Sequence, residues 1–126
     1  MPDLLIATDA AWLDNELRSV LAEPNTAIRS VRKGADVLGA LKGHLADLVI
    51  LDLQIGNMGG FAVAIDLHLE VSGGRAPNVP IVLLLDREAD HFLAKRADVD
   101  AGLVKPIDAG TLRRTVKRVL AERTSA

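Results

Sequence analysis

Three short runs of uninterrupted apolar residues, at 4–7 (LLIA), 48–51 (LVIL) and 81–85 (IVLLL), constrain this chain more than any other feature. Each has no polar side to turn toward water, so each predicts a strand covered on both faces, as in a parallel sheet. Two further runs differ. Residues 27–31 (AIRSV) alternate and 102–104 (GLV) are brief, which reads as the two edges of the same sheet.

Between these runs lie amphipathic stretches with helical spacing. Leu13, Leu17, Val20 and Leu21 fall on one face, and Leu38, Leu41 and Leu45 form a second stripe weakened by Gly39 and Gly43. Residues 60–71 are apolar nearly all round, so periodicity does not choose a buried side. A fourth helix around 87–97 offers Ala89, Phe92 and Leu93 as its face. In the fifth, Leu112, Val116, Val119 and Leu120 oppose Arg113, Arg114, Lys117 and Arg118. Strands alternating with helices predict an α/β doubly wound sheet of five parallel strands. With the three apolar runs central, strand one must lie inside the sheet; the order 2-1-3-4-5 satisfies that, in three α/β/α layers, with a crevice between strands one and three. The 126 residues suit one domain, 1–126, with its core at about 3–120.

Composition narrows the function classes. Fifteen Lys and Arg against 17 Asp and Glu leave a net charge of −2, which argues against direct nucleic-acid binding through phosphate neutralisation. Trp12, Phe61 and Phe92 are the sole aromatics, too few for a base-stacking platform. Cysteine is absent, which excludes disulfides and thiolate metal sites, and no apolar run approaches the ~20 residues of a membrane span. The amino terminus lacks a signal-peptide pattern, so the expected location is the cytoplasm, away from any membrane.

The strand ends place polar residues on one rim. Thr8 and Asp9 follow strand one, Asp52 strand three, Asp86 strand four, and Lys105 and Pro106 strand five. Two carboxylates, Asp9 and Asp52, and the Lys105 ammonium are expected to converge there. Paired carboxylates repel unless a cation intervenes, and a hard divalent ion such as Mg2+ suits carboxylate and water oxygens. An ionised aspartate in that setting is also a nucleophile suited to phosphorus.

The residues 47–53 (DLVILDL) followed by Met58, Gly59, Gly60 and Phe61 resemble the phosphoacceptor segment of response-regulator receiver domains. Residues 80–84 (PIVLL) resemble the family's fourth strand, 101–106 (AGLVKP) its Lys-Pro strand end, and Gly34 fits the opening of its second helix. The resemblance covers about 3–120 and implies the flavodoxin-like architecture already deduced. It implies that Asp52 accepts a phosphoryl group from a sensor histidine kinase, a phosphotransfer protein or a small phosphodonor. Asp9 then maps to a direct Mg2+ ligand, the backbone carbonyl of Gln54 to another, and Lys105 to the family's phosphoryl-binding lysine. A cis Lys105–Pro106 peptide is expected as well. Output is expected through contacts with a downstream protein rather than through catalysis. Helix 4, strand 5 and helix 5 are the family's partner and homodimer surface, which makes Arg113, Arg114, Lys117 and Arg118 candidates for contact.

Four positions depart from the family pattern. Thr8 replaces the first of two adjacent acids, which predicts weaker Mg2+ binding. Leu85 falls where a Ser or Thr is usual, with Asp86 one residue further on, and Gly102 falls where the switch aromatic sits. Gly56 replaces the usual proline. The chain is therefore expected to be an atypical receiver, with phosphorylation-independent binding as the competing reading. A flavin carrier would need a hydroxyl- and glycine-rich loop after strand one, which residues 8–12 (TDAAW) do not supply. His44, His68 and His91 show no metal-ligand spacing, and Trp12 is left open between a place over the rim and a place in the core. Only six residues follow Leu120, too few for an output domain, and a fragment of a longer regulator is equally compatible with the sequence.

Overall fold

The structure, a computed structural model, describes residues 2–125, the side chains of 123–125 excepted. Five parallel strands, β1 (Asp3–Ala7), β2 (Ala27–Val31), β3 (Leu48–Asp52), β4 (Ile81–Leu85) and β5 (Ala101–Val104), form one sheet in the order β2-β1-β3-β4-β5. This is the expected order, with the three apolar runs at its centre. The helices are α1 (Ala11–Leu21), α2 (Val37–Gly43), α3 (Gly60–Ser72), α4 (His91–Arg96) and α5 (Ala109–Ser125). Single 3-10 turns, Gly34–Asp36 and Glu88–Asp90, lead into α2 and α4.

Period-two alternation divides the apolar strands between two cores. Leu4, Ile6, Leu48, Ile50, Val82 and Leu84 pack beneath α1 and α5, against Leu13, Leu17, Leu112, Val116 and Val119. Their neighbours Leu5, Ala7, Val49, Leu51, Ile81, Leu83 and Leu85 face α2, α3 and α4, against Val37, Leu41, Val63, Ala64, Leu67 and Ala94. Both faces of β3 and β4 are buried throughout, whereas β2 and β5 stay partly exposed as edges. Full burial of a Leu or Ile side chain contributes roughly 1.5–3 kcal/mol, so the three central strands carry much of the fold's stability.

Several helical expectations are corrected. Leu45 lies beyond the end of α2 and is exposed, so the second stripe ends at Leu41. The fourth helix is a 3-10 turn plus six residues, and it buries Ala94, with Ala97 just beyond it, rather than Ala89 and Phe92. The reason is a close approach to β5: a methyl group on Gly102 would lie 3.1 Å from Ala94 Cβ. Only small residues fit that contact, and Phe92 turns outward. Trp12, left open between rim and core, is exposed. In α3 the buried side is Gly60, Val63, Ala64 and Leu67, leaving Leu69 exposed. Among the described residues no helix is long and apolar enough to cross a membrane.

Candidate phosphoacceptor site

Right-handed parallel crossovers bring the carboxyl ends of β1, β3, β4 and β5 to one rim. Asp52, the last residue of β3, is 2% exposed, and its position is fixed from behind by α3. A methyl group at Gly60 would sit 2.5 Å from the Asp52 carbonyl oxygen, so glycine alone lets the helix begin this close. The loop between them is held by the Leu53 amide donating to the Leu84 carbonyl and the Gly60 amide donating to the Leu53 carbonyl.

Both Asp52 oxygens have partners. Oδ1 accepts hydrogen bonds from Lys105 Nζ at 2.6 Å and from the Gln54 amide at 3.0 Å. Oδ2 accepts from the Thr8 hydroxyl at 2.7 Å, and the Thr8 Oγ1 in turn accepts from the Ala10 amide. The Thr8 side chain therefore stands where a second acid would repel Asp52, and donates to it instead. Lys105 Nζ also reaches Asp86 Oδ1 at 3.1 Å, and Asp86 Oδ2 accepts from Gln54 Nε2 at 2.7 Å. The Lys105–Pro106 peptide is cis.

Partial burial works against the charged form of Lys105, but the hydrogen bonds and charges of Asp52 and Asp86 outweigh it and push its pKa above the ordinary lysine value. No buried side-chain polar atom among the described residues lacks a partner. A network satisfied in this way is rigid and costly to break piecemeal.

Asp9 is placed differently. It is exposed at the rim, and its Oδ2 accepts from the Gly56 amide at 3.1 Å. Proline at 56 has no N–H to donate, and even a methyl group there would come within 2.7 Å of that oxygen. Gly56 and Asp9 thus fit one another. Among the described residues no three His, Cys, Asp or Glu side chains gather closely enough to hold a metal by themselves. Asp9, Asp52 and the Gln54 carbonyl are nonetheless all hard oxygen donors. That set suits Mg2+, which binds through one or two carboxylates and keeps several waters.

The remaining predicted positions lie further out. Leu85 is wholly buried in the core beneath α4, and its Cδ1 would be 3.2 Å from a methyl group on Gly102. Arg113, Arg114, Lys117 and Arg118 are exposed on α5, Arg118 paired with Glu122 at 3.1 Å. Sequence reasoning missed the Asp86 bond to Lys105 and the reach of the Gln54 side chain. The available signal was a carboxylate directly after β4, on the same rim as Lys105.

The doubly wound sheet sets a buried aspartate at one strand end with a lysine bonded to it, and similarity to known proteins gives the class of signalling module that carries this fold. The family model described as "Response regulator receiver domain" matches residues 4–117. Protein PilH of Pseudomonas aeruginosa is 27% identical over 121 residues, covering 96% of this chain and 99% of PilH. The transcriptional regulatory protein AfsQ1 of Streptomyces coelicolor is 26% identical; 95% of this chain aligns with 52% of AfsQ1, so the chain spans about half of that relative. In fold, the chain resembles the receiver domain of a signal transduction histidine kinase from Syntrophus aciditrophicus, with TM-score 0.85, 24% identity, and 97% and 92% of the two chains covered. The chain belongs to the response-regulator receiver domain family.

Proposed function

We propose that this receiver takes a phosphoryl group on Asp52, from a histidine kinase or phosphotransfer protein, and passes the signal on through protein contacts. The observation that carries the reading is the buried Asp52 carboxylate with Lys105 Nζ 2.6 Å away. In the reaction an Asp52 carboxylate oxygen attacks phosphorus, the bond from phosphorus to the donor atom breaks, and an aspartyl phosphate forms. Such transfers depend chiefly on positioning and charge neutralisation. Thr8 and the Gln54 amide orient the carboxylate, and Lys105 faces the incoming phosphoryl oxygens. Asp9, Asp52 and the Gln54 carbonyl would hold Mg2+, which would supply further positive charge to those oxygens.

Transmission to the surface differs from the family pattern. Leu85 has no hydroxyl, and Gly102 has no side chain to rotate. The ligand must then bias another element, because a conformational equilibrium shifts only through interactions that differ between its two states. The exposed basic face of α5 remains the candidate contact surface, with a partner protein or a second copy of the chain.

The test is incubation with acetyl phosphate and Mg2+ followed by intact-mass analysis. A singly phosphorylated species is expected in the wild type and absent in Asp52→Asn. Absence of any adduct, with acetyl phosphate and with a phosphorylated histidine donor alike, would overturn the reading in favour of a phosphorylation-independent binding module.

A further inference from the structure

We infer that Asp86 is an internal rival of the phosphoryl group for Lys105 and limits how tightly this site holds phosphate on Asp52; the inference rests on the phosphoacceptor reading above. Asp86 follows β4 directly, and its two oxygens close a ring with the site. Oδ1 accepts from Lys105 Nζ at 3.1 Å and Oδ2 from Gln54 Nε2 at 2.7 Å. Gln54 is itself tied to Asp52 through its amide.

The corner that carries Asp86 is braced from below. The amides of Asp86 and Arg87 donate to Asp90 Oδ2 at 3.3 and 3.0 Å, and Asp90 is buried and bonded to the Arg87 guanidinium. The Asp86 backbone is therefore fixed beside Lys105, and its side chain, 29% exposed, borders on solvent.

An ammonium has three donor hydrogens, and here two carboxylates already share them. A phosphoryl group arriving on Asp52 brings anionic oxygens to the same ammonium. Asp86 then either stays, with like charges in close approach, or swings out and loses its bonds to both Lys105 and Gln54. Each route weakens phosphoryl binding. Asp86→Asn keeps the shape and the possibility of bonding Gln54 while removing the charge. Asp86 is partly exposed, so its effective dielectric lies between about 20 and that of water, and at a few ångströms that charge changes affinity by roughly tenfold.

The experiment is a titration with beryllofluoride and Mg2+, a phosphoryl mimic, followed by fluorine NMR at low and high salt. Wild type, Asp86→Asn, Asp52→Asn and the double variant are compared. Asp86→Asn is expected to bind about tenfold more tightly than wild type, with the gain shrinking as salt screens the partly exposed charge. Wild type silent and Asp86→Asn binding is the same result at its extreme. Equal or weaker binding by Asp86→Asn, with the wild type binding, overturns the rivalry and leaves Asp52 as acceptor. A gain indifferent to salt overturns it too, because altered packing rather than charge would then be the cause. No Asp52-dependent binding in any protein overturns both this inference and the reading beneath it.

Discussion

The rim around Asp52 and the edge formed by β4, α4 and β5 lie side by side, yet they are built on opposite terms. At the rim every buried polar atom is answered: Asp52 by Thr8, Gln54 and Lys105, and Lys105 by Asp86. At the edge, the residues that meet are Leu85, Ala94 and Gly102, with the His91 ring beside them and no hydroxyl among them. The first is held by directional charge-assisted bonds, the second by close packing of a large side chain against two small ones. The polar network of the rim and the close packing of the edge therefore have separate structural bases in this chain, and disturbing one does not imply loss of the other.

The largest expected effect comes from breaking the rim. Lys105→Met leaves Asp52 buried, with one charge uncompensated, and removing one partner of a buried pair costs about 3 kcal/mol even where some water remains near the lysine. Urea denaturation at neutral pH measures it, and a cost below about 1 kcal/mol would mean that Thr8 and the Gln54 amide suffice alone. The pH profile gives an independent check. The folded pKa of Lys105 lies above its unfolded value, so its stabilisation is complete below about pH 10 and is lost as pH rises through the folded value. Wild-type stability is accordingly expected to fall above about pH 10, and Lys105→Met to lose that part of the alkaline slope.

The edge should respond to volume instead. Gly102→Ala places a methyl group 3.1 Å from Ala94 Cβ and 3.2 Å from Leu85 Cδ1, an overpacking expected to cost about 1–2 kcal/mol. Leu85→Val removes one of those contacts, so the double variant should cost less than the sum of the singles, with a coupling of about 0.5–1 kcal/mol. Full additivity would show that Leu85 does not fill the space beside Gly102. The edge would then be looser than the rim rather than held by close packing.

The same division explains what was legible in the sequence. The three apolar runs mark the central strands because double burial leaves an uninterrupted pattern, and Asp52 and Lys105 are legible because strand ends in this topology share a rim. Helix α4 was misread because its face is chosen by how near it comes to Gly102; Phe92 is the more hydrophobic residue, but Ala94 is the one that fits. Helix α3 gave no face because all its sides are apolar, and the choice of Val63 and Leu67 over Leu69 came from the sheet beneath. Within the site, composition and spacing located Asp9 and Asp86 on the rim but not their partners. Those depend on side-chain geometry, which turns Asp9 to the Gly56 amide and Asp86 to Lys105 and Gln54.

The smallest expected effect lies where the two regions join. Three residues after Lys105, Asp108 caps α5: its Oδ2 accepts from the Thr111 amide at 2.8 Å and from the Thr111 hydroxyl at 2.9 Å. These bonds hold its carboxyl below the usual carboxylate range against a burial penalty, and the nearby Arg114 and Arg113 charges add to the effect. A lowered folded pKa means stabilisation that is present above about pH 4 and lost as pH falls through the folded value. Asp108→Ala should lower Tm by about 3 °C at pH 7, and by less near pH 3. If rim and edge are mechanically separate, this loss adds to that of Lys105→Met within roughly 0.5 kcal/mol, and beryllofluoride affinity is unchanged by Asp108→Ala. A larger departure from additivity would show that the Lys105–Pro106 turn transmits strain from the rim into α5, and would give phosphorylation a route to the basic helix face that bypasses Leu85 and Gly102.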